Sequence, residues 1–232
     1  MTDISDNLAQ VRRRIAATES RYGRAAGTVR LLAVSKTWPD ALLHRAADAG
    51  QGDFGESYVQ EALAKMEALK GLPLRWHFIG PIQSNKTRDI ARHFHWVHSV
   101  DRLKIARRLS AQRPPELPPL EVCIQVNISG EANKSGASAG ETAALAEAVA
   151  QLPRLRLRGL MAIPAPTPDF GEQRAYFRQV RELQDALIAR GHALDTLSMG
   201  MSGDLEAAIA EGATVVRVGT GVFGQRGLRT EC

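Results

Sequence analysis

The chain has 232 residues, 44% hydrophobic and 24% charged, a balance that excludes a disordered or fibrous chain and leaves material for a large core. No apolar run approaches the roughly 20 residues needed to cross a bilayer; the polar start Met1-Thr2-Asp3-Ile4-Ser5-Asp6 lacks a signal peptide's apolar core, and two cysteines, Cys123 and Cys232, make no disulfide framework, so a reduced, cytoplasmic setting without a membrane partner is expected. A formal charge of +5 raises nucleic-acid binding, but the basic clusters (Arg12-Arg13-Arg14; Arg107-Arg108; Arg154, Arg156, Arg158) are short and carry no interleaved aromatic residues, so a solvated arginine-rich surface with no nucleic-acid partner is expected.

Ile4, Leu8, Val11 and Ile15 recur at helical spacing and predict an amphipathic helix within residues 1–24, ahead of the first strand and packed on the rest of the fold. Strand and helix then alternate. The first strand is predicted near 29–36 and is closed by Lys36; its helix near 39–49 opens with Pro39, a favoured first-turn residue. Further strands are predicted near 52–56, 75–80, 96–100, 120–127, 157–163, 196–199 and 214–218. Helices are predicted near 57–70, 85–93, 101–112, 140–151, 171–190 and 203–211. A Pro-rich loop at 114–119 is too short to divide domains, and a Gly-rich turn follows the eighth strand. Eight βα units in series predict an α/β fold in one domain over 1–232, a (β/α)8 TIM barrel with an extra N-terminal helix. A doubly wound open sheet is the alternative.

In a barrel the C-terminal strand ends share one face, where active sites of this fold sit. Lys36, leaving the first strand, then neighbours Arg217 and Gly219 at the end of the eighth, and Met201-Ser202-Gly203-Asp204 leaves the seventh beside them. Only six of thirty basic residues are lysines. A lysine amine attacks an aldehyde as no guanidinium can.

Two segments suit a phosphate. Ser198-Met199-Gly200-Met201-Ser202-Gly203-Asp204 opens a helix with Ser202 as the expected N-cap, and the glycines of Gly219-Thr220-Gly221-Val222-Phe223-Gly224 let backbone N–H groups approach a ligand. A ligand with both phosphate and aldehyde suits this face; pyridoxal 5′-phosphate fits, held as a Schiff base on Lys36, with burial favouring the neutral amine. Arg217, in an otherwise apolar strand, needs a partner. A pyridine nitrogen is one; arginine keeps its proton, so it would donate to an unprotonated ring and leave a weak electron sink. The plainer alternatives stay open: glycines that only turn the chain, Ser202 that only caps a helix, Lys36 reaching solvent, and Arg217 paired with a carboxylate inside the barrel.

His93, His95 and His98 invite a metal reading, but no Cys, Asp or Glu completes a ligand set, so no metal is expected. His77 and Gln83 lie around the third strand's exit and suit a pocket contact or a structural role equally. Asn127 and Met161, at the exits of strands five and six, are candidate lining residues that offer packing or a hydrogen bond. Asp204 also suits a helix's first turn. Lys134, in a Gly/Ser-rich loop, is a second amine that could reach the pocket or stay solvated.

These residues carry a resemblance to the pyridoxal phosphate homeostasis proteins, which resemble the N-terminal barrel of alanine racemase. The matching segments include Leu32-Ala33-Val34-Ser35-Lys36-Thr37, Phe54-Gly55-Glu56-Ser57-Tyr58-Val59-Gln60-Glu61, Trp76-His77-Phe78-Ile79-Gly80-Pro81-Ile82-Gln83-Ser84-Asn85-Lys86, Val126-Asn127-Ile128-Ser129-Gly130-Glu131, Gly159-Leu160-Met161-Ala162-Ile163-Pro164, the Ser198–Asp204 run and Val216-Arg217-Val218-Gly219-Thr220. The resemblance implies that Lys36 is the Schiff-base lysine, that Arg217 is the pyridine partner, and that Ser202, Gly219, Thr220 and Gly221 hold phosphate. The family usually has Asn where this chain has Ser57, whose shorter hydroxyl keeps a polar group near the site.

The resemblance also implies a cofactor carrier, buffer or regulator without established turnover. Racemisation needs two acid/base groups on opposite faces of the substrate; the racemase draws its tyrosine from a further β domain. That domain is not expected here, since the chain ends at Cys232. Tyr22 and Tyr176 fall in predicted helices, and Tyr58 opens the helix after the second strand. One base and a weak electron sink disfavour amino-acid chemistry. The expected function is therefore intracellular pyridoxal phosphate homeostasis by a monomer, with apo-enzymes that require the cofactor as candidate recipients. A racemase-type enzyme is the alternative; a cofactor-free lysine aldolase and a nucleic-acid binder stand further off.

Overall fold

Apolar runs rich in Val, Leu, Ile and Phe become strands buried on both faces, and the amphipathic stretches between them become helices that cover the outside. The computed structural model describes residues 3–131 and 135–225. A helix, α1 (Ile4–Arg21), precedes β1 (Arg30–Val34). The alternation then runs α2 (Asp40–Asp48), β2 (Asp53–Glu56), α3 (Val59–Ala68), β3 (Arg75–Phe78), a 3-10 turn (Ser84–Lys86) leading into α4 (Thr87–His93), and β4 (Trp96–Val100). The second half runs α5 (Leu103–Gln112), β5 (Leu120–Val126), α6 (Ala139–Ala150), β6 (Leu155–Ala162), α7 (Phe170–Ala189), β7 (Thr196–Ser198), α8 (Leu205–Ala210), β8 (Val215–Val218) and the short α9 (Thr220–Phe223).

All neighbouring strands pair in parallel, in sequence order, and β8 closes on β1. The closing register sets Leu32 against Arg217 and Ala33 against Val218, which brings Lys36, two residues past β1, to the end of β8. The barrel is the one the βα alternation predicts.

Two departures are local. The Gly-rich segment after β8 is not only a turn: Thr220–Phe223 winds into one helical turn. A register shift between Val122 and Cys123 moves β6 by one residue against β5, so that Cys123 pairs with Gly159 and Gln125 with Met161.

The main core lies between strands and helices, with Phe54, Phe78, Phe94, Phe177, Ile105 and Leu109 among its fully buried side chains. Helix α1 buries Ile4, Leu8, Val11 and Ile15 against α2, α8 and α9. Each such side chain contributes about 1.5–3 kcal/mol relative to exposure. A second, smaller cluster, Trp96, Cys123 and Met161, packs separately. Cys123 is a free thiol whose pKa burial pushes up to about 12, so it packs as an inert small apolar group. Cys232 and Lys134 lie outside the described residues. No helix among the described residues is long and apolar enough to cross a membrane.

Candidate functional site at the C-terminal mouth

Lys36 sits just past β1 and is half-buried rather than sealed from water. Its flanks are held firmly. Ser35 Oγ donates to Glu56 Oε1 at 2.7 Å, and Lys65 Nζ donates to that same oxygen and to the Ser35 carbonyl, each at 2.7 Å. Lys65 also pairs with Glu61, whose carboxylate accepts the Thr37 N–H. Thr37 has φ of +67°, a left-handed conformation that a β-branched residue adopts only where its surroundings impose it. The Thr37 N–H bond to Glu61, itself tied to Lys65, holds that turn, directly after Lys36, which lines the barrel mouth.

Arg217 closes the other side. It is 4% exposed, and its Nη1 donates to the carbonyl and the hydroxyl of Ser198 while Nη2 donates to the Ala162 carbonyl at 2.9 Å. Backbone and hydroxyl acceptors therefore replace the barrel carboxylate considered from the sequence; no ion pair to Arg217 forms among the described residues. Its Nε–H and one Nη2 proton have no protein acceptor there. Burial lowers its pKa to about 10, which leaves it a cation and a donor at neutral pH.

Ser202 does not cap α8. The N-cap is Asp204, whose carboxylate turns back to accept the Met201 N–H. The Ser202 carbonyl instead accepts from Arg14 on α1 at 2.9 Å, leaving its hydroxyl on the side of Gly221, where an added Cβ would lie 3.7 Å from Ser202 Oγ. Gly219 caps α9, and the first N–H groups of such a turn have no partner within the helix.

Lys36, Ser57, Ser202, Arg217, Gly219 and Thr220 line one cavity of about 390 Å³, walled by Val34, Trp38 and Ile79 and rimmed by the exposed Ile163 and Met201. Gly80 shapes its wall: a Cβ there would come within 2.4 Å of the Ser57 carbonyl oxygen. A roomier cleft of about 750 Å³ lies around Arg88, Arg92, Arg113 and Arg154, but at the opposite end of the barrel and without a lysine. We assign the site to the smaller cavity because the strand ends and both strand-end cations converge there.

Of the other sequence candidates, Gly221 stays beside the cavity and the rest fall elsewhere. Met161 is fully buried against Trp96 and Cys123, carried there by the β6 register shift. Asn127 Nδ2 donates to the Glu131 carbonyl at 2.8 Å, bracing the loop after β5. Gly221 backs Ser202 from within α9. Tyr22 stacks beside Arg21 and Arg174, and Tyr58 is exposed. His95 Nδ1 accepts the Trp76 N–H, while His77 and His98 lie fully buried. No group of three potential metal ligands occurs among the described residues.

The sequence matches the alanine racemase N-terminal domain family over residues 7–227. It is 62% identical to the pyridoxal phosphate homeostasis protein of Pseudomonas aeruginosa, over 97% of each chain, and 55% identical to that of Escherichia coli, over 97% of this chain and 98% of the other. The chain belongs to the pyridoxal phosphate homeostasis protein family. Among solved structures, PipY of Synechococcus elongatus with pyridoxal phosphate bound is 38% identical and superposes with a TM-score of 0.82, covering 95% of this chain and all of that one. Alanine racemase from Corynebacterium glutamicum, 16% identical with a TM-score of 0.70 over 62% of its length, shares the fold.

Three sets of supporting contacts in this pyridoxal phosphate homeostasis family member have no mark in the local sequence: Lys65 behind the Lys36 turn, Arg14 behind the Ser202 loop, and the links that join Asp53, His77, His98 and Ser198 behind Arg217. Strand alternation held one signal, since Asp53, Gly55 and Ser57, and likewise Arg75, His77 and Ile79, share a strand face.

Proposed function

We propose that this protein binds pyridoxal 5′-phosphate in the C-terminal cavity, holds it covalently on Lys36, and serves cofactor homeostasis as an intracellular store or regulator. The observation that carries this reading is the convergence of Lys36, Arg217, Ser202 and Gly219 on one cavity, in a family with a solved member that holds the cofactor. The donor set suits the molecule. Arg217 offers N–H donors, unmatched among the described residues, to a ring nitrogen; Ser202 with the Gly219–Gly221 backbone suits a phosphate; and the cavity falls within the usual size range for small ligands.

Bound pyridoxal phosphate supplies an electrophilic aldehyde. Lys36 Nζ, once deprotonated, attacks that carbon; the carbonyl oxygen leaves as water, and a C=N bond replaces C=O. Hydrolysis reverses the step, which suits a holder that must let go. Arg217 keeps its own proton and so leaves the ring unprotonated. Trp38 and Ile79 exclude water from one side, while the exposed Ile163 and Met201 leave a way in.

An amino-acid racemase would need a second acid/base group at the cavity. Among the described lining residues only Lys36 and Arg217 are ionisable, and Arg217 keeps its proton, which supports holding over turnover. We further propose a monomer that passes the cofactor to apo-enzymes in the cytoplasm.

The test is spectroscopic. Purified protein mixed with pyridoxal phosphate gives a visible imine band that borohydride bleaches, and mass analysis finds the reduced adduct on Lys36. Lys36→Ala loses the band. A band unchanged in Lys36→Ala sinks the covalent assignment, and racemisation of alanine at enzyme-like rates sinks the holding role.

A further inference from the structure

A single file of hydrogen bonds crosses the barrel interior and ends on Arg217. At the floor, Asp53 on β2 accepts from Arg75 at 2.8 Å and pairs with His77 Nε2 at 2.9 Å. His77 Nδ1 lies 2.9 Å from His98 Nε2 on the next strand, and His98 Nδ1 lies 2.7 Å from Ser198 Oγ on β7. Ser198 Oγ accepts from Arg217 Nη1 at 2.9 Å. His77, His98 and Ser198 are all fully buried.

The two ends fix the direction of every bond between them. An ionised Asp53 can only accept, so His77 Nε2 carries the proton. The other nitrogen of a neutral ring is then an acceptor, so His98 Nε2 carries its proton and donates to His77 Nδ1. His98 Nδ1 accepts in turn, so the Ser198 hydroxyl proton points to it and the oxygen's lone pairs face Arg217. Arg217 can only donate, which matches. Changing either neutral tautomer sets donor against donor or acceptor against acceptor. The charged groups around the two rings agree: Asp53 remains ionised between Arg75 and His77, and burial together with Arg30, Arg75 and Arg217 keeps both imidazoles neutral.

We propose that Asp53, His77, His98 and Ser198 form a positioning relay for Arg217, fixing its guanidinium so that the remaining N–H donors face the cofactor ring. The inference deepens the cofactor reading and rests on it for the ligand, but not for the geometry. No carboxylate among the described residues hydrogen-bonds to the guanidinium; Asp204 acts on it only through space, and the carboxylate reached along the chain of bonds is Asp53, three polar groups away. Each neutral member is polarised in one sense, so the carboxylate's influence is passed to the cation. The ring nitrogen then meets a donor that is held in place and does not surrender its proton.

The test has two arms. In cofactor-free protein labelled with 15N-histidine, long-range NMR correlations at neutral pH should find His77 and His98 both as neutral Nε2–H tautomers, and Ser198→Ala should shift the His98 Nδ1 resonance while His77 keeps its tautomer. A proton on Nδ1 of either ring, or a doubly protonated His77, overturns the relay. In the second arm pyridoxal phosphate is titrated into Ser198→Ala, His98→Gln and Asp53→Asn, with Leu109→Ala on α5 as a core truncation away from the file. The relay variants should bind about tenfold more weakly, the worth of one misplaced hydrogen bond, and shift the pH midpoint of the visible band; Leu109→Ala should do neither. Unchanged affinity and midpoint in all three relay variants overturns the positioning role. Absence of binding by the unsubstituted protein sinks the cofactor reading instead, while the tautomers, read without ligand, still decide the relay even where a variant fails to fold.

Discussion

Arg14 on α1 donates to the carbonyl oxygen of Ser202, 2.9 Å away and 188 positions along the chain, and also grips Glu206 on α8. Two turns earlier, Asn7 Nδ2 donates to the Val222 carbonyl in α9 at 2.9 Å. The N-terminal helix thus holds from behind both segments assigned to the phosphate. Arg14→Ala should raise the dissociation constant for pyridoxal phosphate by about tenfold, the worth of a charge-assisted hydrogen bond. Arg14→Lys should recover little of this, since it lacks the fork that spans two acceptors. Fluorescence titration reads the affinity; an unchanged value for Arg14→Ala means the loop holds its shape without α1.

Gly200 makes the turn into that loop at φ of +93°, where an added Cβ would sit 2.5 Å from Ala208 Cβ on α8. Its carbonyl accepts the Arg217 N–H at 2.9 Å, so the turn cannot drift without disturbing β8. Gly200→Ala should cost about 1–3 kcal/mol through left-handed strain and overpacking, and weaken cofactor binding as well. Gly203, three residues on, has open space around its Cβ position; Gly203→Ala should unfold in urea close to the unsubstituted protein. Equal urea midpoints for the two variants would rule out strain at Gly200.

The barrel was legible because most strands carry a short apolar run near Gly, Pro or Asp, and β/α alternation repeats eight times along the chain. The strand-end residues followed, since closure of a parallel barrel brings the first and eighth exits together. What local pattern could not give were partners supplied by closure itself. His98 and Ser198 are 100 positions apart, so along the chain His98 offered only a metal reading without a ligand set, and His77 a pocket contact or a structural role, not a file. Ser202 has the chemistry of an N-cap, but Arg14 claims its carbonyl and the helix starts two residues later than that role needs. Met161 has the spacing of a strand exit, yet the register shift opposite Cys123, invisible to a two-residue period, turns it into the barrel.

Acid should destabilise the fold through the buried imidazoles. Burial lowers the pKa of His77 and lowers that of His98 well below 6.5. Below about pH 6.5 the unfolded chain binds protons that the folded one refuses, so each ring favours unfolding by up to about 1.4 kcal/mol per pH unit until its folded pKa is reached. Stability from this source is fully present above pH 6.5 and declines below it. Asp53, whose pKa is lowered in the fold, adds its loss further down, from the ordinary carboxylate range to its lower folded pKa. Urea unfolding at pH 7.5 and 5.5 should show the decline, and His98→Gln should flatten it; equal slopes for the two proteins would mean His98 is charged in the fold.

Lys65, with a side chain 6% exposed, faces the fully buried Glu56 carboxylate at 2.7 Å, and through Glu61 it sets the Thr37 turn beyond Lys36. Lys65→Met should cost about 3–5 kcal/mol, because it leaves a buried carboxylate without its cation. Glu56→Gln combined with Lys65→Met should recover part of that loss, since the stranded charge is gone. A pH signature separates stranded charge from lost packing. Burial raises the Glu56 pKa even with Lys65 present; without the ammonium that rise is less opposed, and the folded state takes up a proton where the unfolded chain has none. The deficit of Lys65→Met relative to the unsubstituted protein should therefore narrow from pH 7.5 to pH 5.5, while that of the double variant stays level. A deficit independent of pH would assign the cost to packing. A normal rate of Lys36 adduct formation in Lys65→Met would show that the Thr37 bend holds without the cluster.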